Sequence, residues 1–348
     1  MKLPSLSRLI TDDLAIDLGT VHTFISARGR GLVVNEPTLV ALDSLDGEMV
    51  AVGNEALEML GRSPDEVEIR RPLEDGVVSD FELASSMLSS YIRKARGSRA
   101  TFSRRVILGV PSDVTSVEKY ALYQAVQAAG ANKVYLVDKG YLAALGANII
   151  TDDERASMIV DIGGATTQMA TVTRSHLVAT RSIRKGGSDL DNAIIDHIKR
   201  YHNLLIGNRT AERVKMELAC AIPIFRVPTA ALESTKIRGQ SIIHSVPEMM
   251  TVTPYEIHIA IEPVLKEIIS AVRTFLEDLT PEVAGDIHSR GMTLTGGGAL
   301  LAKLDERMQS ELQLTVRVAK NPLESVVFGA STLFDNPLLL RRLSRQNF

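Results

Sequence analysis

Short apolar runs alternate along this chain with longer stretches in which apolar residues recur every three or four positions. Runs of the first kind, at 14–16, 32–34, 106–110, 158–160 and 292–295, are bounded by turn-forming residues and predict strands. The second kind is clearest in 81–95, where Ala84, Met87, Leu88, Tyr91, Ile92 and Ala95 share one face of a helix. Thr115 followed by Glu118 is a capping-box pattern, in which hydroxyl and carboxylate each satisfy an otherwise free amide, and it predicts a helix running to about Gly130. A third helix is expected from Ser188, burying Leu190, Ile194, Ile198 and Tyr201. Helices interleaved with short strands give an α/β class.

The strand pattern also repeats. Residues 16–23, IDLGTVHT, have a counterpart in 160–167, VDIGGATT: an apolar strand, an aspartate, a glycine two residues on, then small or hydroxylated residues turning into another strand. A separation of 144 residues is too long for a solenoid repeat and suits a duplicated domain, with the two hairpins expected to face each other.

Composition narrows the classes. A chain of 348 residues, 45% hydrophobic and 23% charged, can bury a large core and is not disordered. A formal net charge of -3 excludes a general nucleic-acid coat, so no nucleic-acid partner is expected. The single cysteine, Cys220, cannot form an internal disulfide and reads as a buried small hydrophobe in a reducing, cytoplasmic compartment. No apolar run approaches the length of a membrane span, and MKLPSLSRLI at the start is not a secretory signal.

Glycine and threonine at a hairpin tip can offer backbone N–H groups and hydroxyls to a phosphate, glycine because it permits close approach and positive φ. Gly19, Thr20 and Thr23 meet this description in the first half, and Gly163, Gly164 and Thr166 in the second. Asp17 and Asp161, at the strand ends, are placed to hold a hydrated Mg²⁺. A third cluster, MTLTGGGALL at 292–301, puts Gly296, Gly297, Gly298 and Ala299 between a strand and a helix, where backbone can pack against a ring or a phosphate.

This order of motifs resembles the actin, sugar-kinase and heat-shock-chaperone superfamily. Within it, GRGLVVNEPTLVAL, AVGNEALEMLGRSP, RPLEDGVVSDFE, GVPSDVTSVEK, RSIRKGGSDLDNAIIDHIK and YHNLLIGNRTAERVKMEL closely resemble the MreB family, over about 12–330. The resemblance implies an actin-like ATPase fold of duplicated ribonuclease-H-like domains with two smaller insertions. Its subdomains would be IA at 12–32, 77–150 and 321–340, IB at 33–76, IIA at 151–186 and 254–320, and IIB at 187–253, with 1–11 as a membrane anchor. It implies ATP with Mg²⁺ as ligands, the triphosphate clamped by Gly19, Thr20, Val21, His22 and Thr23 and by Gly163, Gly164, Ala165 and Thr166. Glu212 and Lys215 would contact the adenosine, with 296–299 closing its other side. On the residues alone, Glu212 and Lys215 equally describe a solvated intrahelical ion pair. It further implies membrane-associated homopolymer filaments that organise cell shape and wall synthesis with membrane-protein partners.

The chain departs from the family's pattern in three places. Where it carries Glu-Glu-Pro, with the second glutamate positioning the attacking water, this chain has Asp138, Lys139 and Gly140. A protonated lysine cannot orient water as a base and would pair with phosphate oxygen instead, so Lys139 predicts slow hydrolysis. In an extended segment Asp138 would face the opposite side. Ala165 replaces a glycine, which strains the turn if φ is positive there, and His22 replaces an asparagine while keeping a donor. A small-molecule kinase of the same superfamily and a nucleotide-locked scaffold are the competing readings; a chaperone ATPase would need a peptide-binding domain that no stretch here supplies.

The expected membrane contacts are the loop RKARGSRATFSRR, where Arg99 and Arg104 flank Phe102, and an N-terminal turn carrying Leu6 and Leu9. The apolar-then-basic stretch 335–348 either docks on its own domain or binds a partner or membrane.

Overall fold

A five-stranded sheet runs in the order Val134–Asp138, Phe102–Val110, Thr11–Leu18, His22–Ala27, Gly31–Pro37, and a second in the order Leu177–Ile183, Thr167–Val172, Ser157–Ile162, Met292–Thr295, Val316–Val318. Numbering the sheet strands within each half of the chain, both follow 3-2-1-4-5, the duplication proposed from the two hairpin motifs now written in topology. Each half inserts a smaller three-stranded sheet between its third and fourth strands: Met49–Val52, Val40–Asp43 and Val67–Arg70 in the first, Leu204–Leu205, Thr235–Ser241 and Pro247–Val252 in the second. The computed structural model describes residues 11–61, 66–96, 102–150, 153–223 and 234–345, with the backbone alone at 11, 12, 102–104 and 345.

Contacts divide the chain into one unit of Met1–Ile159, Ala170–Ser182 and Leu323–Phe348 and another of Val160–Met169 and Ile183–Pro322. In the first unit both faces of the sheet are covered, which is why its strands are apolar without alternation. Leu14, Ile16 and Leu18 join Met87, Leu88, Tyr91 and Ile92 in one cluster, while Ala15 and Ile107 join Tyr141, Leu142, Val326 and Phe334 in another. The helix Phe81–Ala95 buries all six positions of its predicted stripe and is capped by Asp80, whose carboxylate accepts from Leu83 N. The capping box at Thr115 opens the helix Ser116–Ala128. The C-terminal helix Pro337–Arg345 docks on its own unit through Leu340 and Leu343, both buried.

In the second unit the helix Gly187–His202 buries Leu190, Ile194 and Ile198, but Tyr201 is 65% exposed. The stripe ends a turn early because the helix terminates at His202, where Asn203 turns left-handed (φ 52), and the Tyr201 ring leans back on His197 at 4.6 Å instead. Cys220 is half-buried rather than buried.

Arg307, only 8% exposed, ties this unit together: it donates to Ala221 O at 2.9 Å, Glu262 Oε1 at 3.0 Å and Glu311 Oε1 at 2.8 Å. Burial pushes the Glu262 carboxyl up, but hydrogen bonds and charge from Arg307 outweigh it and leave it below its ordinary value. Because the folded value is depressed, this contribution is complete above the ordinary glutamate range and is lost as pH falls through the folded value. Arg307→Met leaves two facing carboxylates and is expected to cost about 3 kcal/mol, at the low end for a buried pair because Glu311 is partly solvated. A urea midpoint within error of wild type would refute that role.

Candidate functional site

The first hairpin joins Thr11–Leu18 to His22–Ala27 with Leu18 opposite Thr23. Its tip closes when Gly19 N donates to His22 O at 3.0 Å, and a Cβ on residue 19 would lie 2.6 Å from that oxygen. Close approach, not positive φ, therefore requires the glycine. The tip carbonyls are all engaged: Gly19 O accepts from Thr38 Oγ1 at 2.7 Å, Thr20 O from Arg71 at 3.1 Å, and Val21 O from Thr38 N at 2.9 Å. The amides of Thr20 and Val21 have no acceptor among the described residues. That combination, carbonyls tied back and consecutive N–H groups left over, is an arrangement that suits an anion.

Thr23 differs from expectation, whereas the Thr20 hydroxyl keeps its hydrogen to donate. The Thr20 hydroxyl accepts from Gly76 N at 2.8 Å, and Thr23 is fully buried with its hydroxyl 2.8 Å from that of Thr38. Thr23 braces the loop from beneath and does not reach its surface. The His22 ring packs against Phe24 at 5.3 Å between centroids.

The second tip repeats the first. Gly163 N donates to Thr166 O at 2.8 Å, and the amides of Gly164 and Ala165 lack an acceptor among the described residues. Its carbonyls are held by a helix N-terminus: Gly187 N donates to Gly163 O at 2.9 Å and Ser188 N to Gly164 O at 2.7 Å. A Cβ on Gly186 would stand 2.6 Å from Gly163 O and 2.7 Å from Gly164 O, so only glycine fits. Ala165 is not among the positive-φ residues, and the strain expected of an alanine there is absent. Thr166 is half-buried.

Gly296 is confined twice over, by φ +79 and by a Cβ position 2.4 Å from both Asp161 Oδ1 and Ile162 O. Gly298 would likewise place a Cβ 2.2 Å from Ile162 Cγ2. The triple glycine thus packs on Asp161 and Ile162, the last two residues of the strand Ser157–Ile162; it continues into a 3-10 turn, Gly297–Leu300, with Ala299 buried, before the helix Leu304–Leu312. Lys215, from the helix Asn208–Leu218, reaches Asp191 Oδ2 at 2.8 Å and Gly187 O at 3.0 Å, while Glu212 is exposed. The intrahelical pairing of Glu212 with Lys215 is therefore not formed. Burial pushes the Asp191 carboxyl up against the opposing pull of Lys215, and its Oδ1 is buried without a hydrogen-bond partner among the described residues.

Lys139 is not presented to solvent. The strand Val134–Asp138 stops at Asp138, which caps the helix Lys139–Gly146 by accepting from Tyr141 N at 3.1 Å and also accepts from Ser112 Oγ at 2.6 Å. The segment is a helix start, not an extended stretch, so the opposite-sides argument for Asp138 does not apply; Asp138 is instead buried and committed. Lys139 Nζ donates to Leu18 O at 3.0 Å and stands 2.7 Å from Asp17 Oδ1, both side chains being nearly buried. The ion contact lies off the hydrogen-bonding direction, for Oδ1 is buried without a donor of its own. Asp17, expected to organise a metal, is held by an ammonium.

The basic segment is also partly committed: Lys94 pairs with Glu36, Arg96 donates to Gly130 O at 3.3 Å, and Arg105 pairs with Asp13 while lying 5.2 Å over the Phe334 ring. Backbone of Phe102 and Arg104 belongs to the strand Phe102–Val110 rather than to a loop tip. Their side chains, and Arg99, Leu6 and Leu9, lie outside the described residues, and no described helix is long and apolar enough to cross a membrane. Gly186, Gly187, Asp191 and Thr38 support the tips and their surroundings and were passed over by motif reading; the Lys-Gly-Gly-Ser-Asp run at 185–189 was the local signal for the two glycines alone.

Against known proteins, the family model described as MreB/Mbl protein matches residues 11–341. The chain is 39% identical over 324 residues to the cell shape-determining protein Mbl of Bacillus subtilis (strain 168), covering 93% of this chain and 96% of that protein. It is 39% identical over 328 residues to the cell shape-determining protein MreB of Escherichia coli (strain K12), covering 92% of each. Crystal structures of MreB5 of Spiroplasma citri bound to ADP and to AMPPNP superpose with TM-scores of 0.86 and 0.88 at 31% and 30% identity, each over 94% of this chain and 97% of that one. The MamK double helical filament, at 22% identity and a TM-score of 0.78 over 93% of this chain and 99% of that one, shares the fold.

Proposed function

The chain belongs to the MreB/Mbl family of actin-like, cell shape-determining proteins, and from that premise we propose that it binds ATP, polymerises, and turns its nucleotide over slowly. The observation that carries nucleotide binding is the repeated tip geometry: each glycine closes its own turn, and the next two amides, at 20 and 21 and at 164 and 165, are left without acceptors. At each tip taken by itself, phosphate oxygens are the acceptors those donors lack, and within the second unit the glycine turn at 296–298 is a surface for a ring. MreB5 bound to ADP and AMPPNP, at 31% and 30% identity, supports the same reading.

The residues fit Mg²⁺ less well at Asp17, whose carboxylate Lys139 already neutralises; Asp161 is the remaining candidate for a water-bridged ion. With Asp17 paired and Asp138 capping a helix, neither acidic side chain is free to orient an attacking water or deprotonate a substrate hydroxyl. That favours a nucleotide held mainly to set conformation, and disfavours a small-molecule kinase.

Filament assembly rests on family membership and on the rule that a head-to-tail contact which does not close yields an open polymer. We place the polymer in the cytoplasm against anionic lipid, working with membrane proteins of wall synthesis; exposed Arg93 and the adjoining basic segment are its candidate contact.

Proline substitution tests the amide mechanism directly, because it removes one donor and no side chain. Ala165→Pro is expected to raise the Kd for ATP about tenfold or more, the loss of one hydrogen bond to a charged group. Equilibrium dialysis reads the change; affinity unaltered in a folded variant would remove these amides from the site.

A further inference from the structure

A second constellation lies where the end of the helix Gly187–His202 meets the start of the helix Pro254–Glu277. His197, His202 and Glu256 each offer one ligand atom, and these atoms lie within 4.8 Å of one another. We propose that the three form a binding site for a borderline divalent cation of the zinc class.

The geometry supports this at each donor. Glu256 is already oriented: Oε2 accepts from Thr253 N at 2.9 Å and Thr253 Oγ1 at 2.8 Å in a capping box, leaving Oε1 directed at His202 Nε2, 2.8 Å away. A ligand carboxylate whose second oxygen is fixed by hydrogen bonds is the usual outer-shell arrangement of metal sites. The His197 ring is held against Tyr201 at 4.6 Å and makes no hydrogen bond among the described residues, so its nitrogen is uncommitted. His202 and Glu256 side chains are 31% and 25% exposed, open enough for an ion to enter. Bonds of about 2.0–2.2 Å in a tetrahedron separate donors by about 3.4 Å. Small side-chain rotations bring the three there, and water completes the fourth position.

Two imidazoles and one carboxylate select zinc, cobalt, nickel or copper over magnesium and calcium, which take oxygen. The ion would clip together the two ends of the inserted segment carrying the strands Leu204–Leu205, Thr235–Ser241 and Pro247–Val252, closing it at its base. A closed base restricts how that segment moves on its unit.

Tag-free full-length protein, stripped with chelator, is titrated with ZnCl2 by calorimetry in excess Mg²⁺ and without nucleotide. One equivalent is expected to bind at micromolar affinity, with His197→Ala weakening it at least about tenfold while leaving the melting temperature in chelator unchanged. Visible absorption of bound Co²⁺ gives an independent reading: a tetrahedral spectrum in wild type, lost in His197→Ala and in His202→Gln. No saturable binding, or binding unaltered by both substitutions, overturns the site. Since nucleotide is absent, neither outcome bears on ATP binding.

Discussion

Replacing Lys139 by glutamate is expected to raise phosphate release from ATP about 10²-fold, the lower end of what a positioned carboxylate contributes. The family resemblance implies that Lys139 stands where the family carries a water-positioning glutamate, and its ammonium stands 2.7 Å from Asp17 Oδ1. Glutamate restores the water-positioning carboxylate and frees Asp17 for a hydrated magnesium ion. Position 139 opens a helix, where a negative side chain also suits the N-terminal dipole. Without magnesium the two carboxylates oppose each other, so the variant should be less stable in chelator than in Mg²⁺. Lys139→Met separates the effects. It removes the charge without adding a carboxylate, leaves hydrolysis at the wild-type level, and costs about 3 kcal/mol because Asp17 stays buried and unpaired. Phosphate release from Lys139→Glu no faster than from wild type would show that the residue does not limit turnover.

Gly186→Ala should be nearly as severe for binding. Its Cβ would meet the backbone oxygens of Gly163 and Gly164 at 2.6 and 2.7 Å, and backbone cannot rotate away as a side chain can. The second tip must move, carrying the amides of Gly164 and Ala165 out of place. Two hydrogen bonds to charged oxygens at about 1.5 kcal/mol each correspond to a rise of about 10²-fold in the Kd for ATP. Gly207→Ala is the control: nothing lies within 4 Å of a Cβ there and its φ is -86, so affinity should not change. A Gly186→Ala protein that binds ATP like wild type would mean that the tip is not held by the helix.

Where structure is local, the sequence was enough to read it. The stripe at 84–95, the capping box at Thr115 and Glu118, and both hairpins are set by residues within a few positions of one another, and each lies where expected. The duplication was legible because two copies of one motif are more informative than either alone. What escaped depends on pairs far apart in the chain. Nothing around Lys139 announces Asp17, and nothing around Thr23 announces Thr38, whose hydroxyl turns a supposed phosphate ligand into an internal brace. Treating 138–140 as extended carried strand alternation one residue too far, past a helix cap. Of the two reasons given for glycine at the tips, close approach to the i+3 carbonyl holds at 19 and 163 and positive φ does not, so the condition under which Ala165 would be strained is not met. Gly186 and Asp191 were missed because they act on the tip through a helix N-terminus and a lysine from another helix, neither of which has a spacing signature.

The central claim is an ATP-dependent polymer, and sedimentation tests it most directly. Purified, tag-free protein is spun with ATP, ADP, AMPPNP or no nucleotide, with and without anionic liposomes, while phosphate release is followed in parallel. The account predicts pelleting with ATP and AMPPNP alike, enrichment on anionic vesicles, and little phosphate released while polymer persists. Protein that remains monomeric under every condition would contradict it.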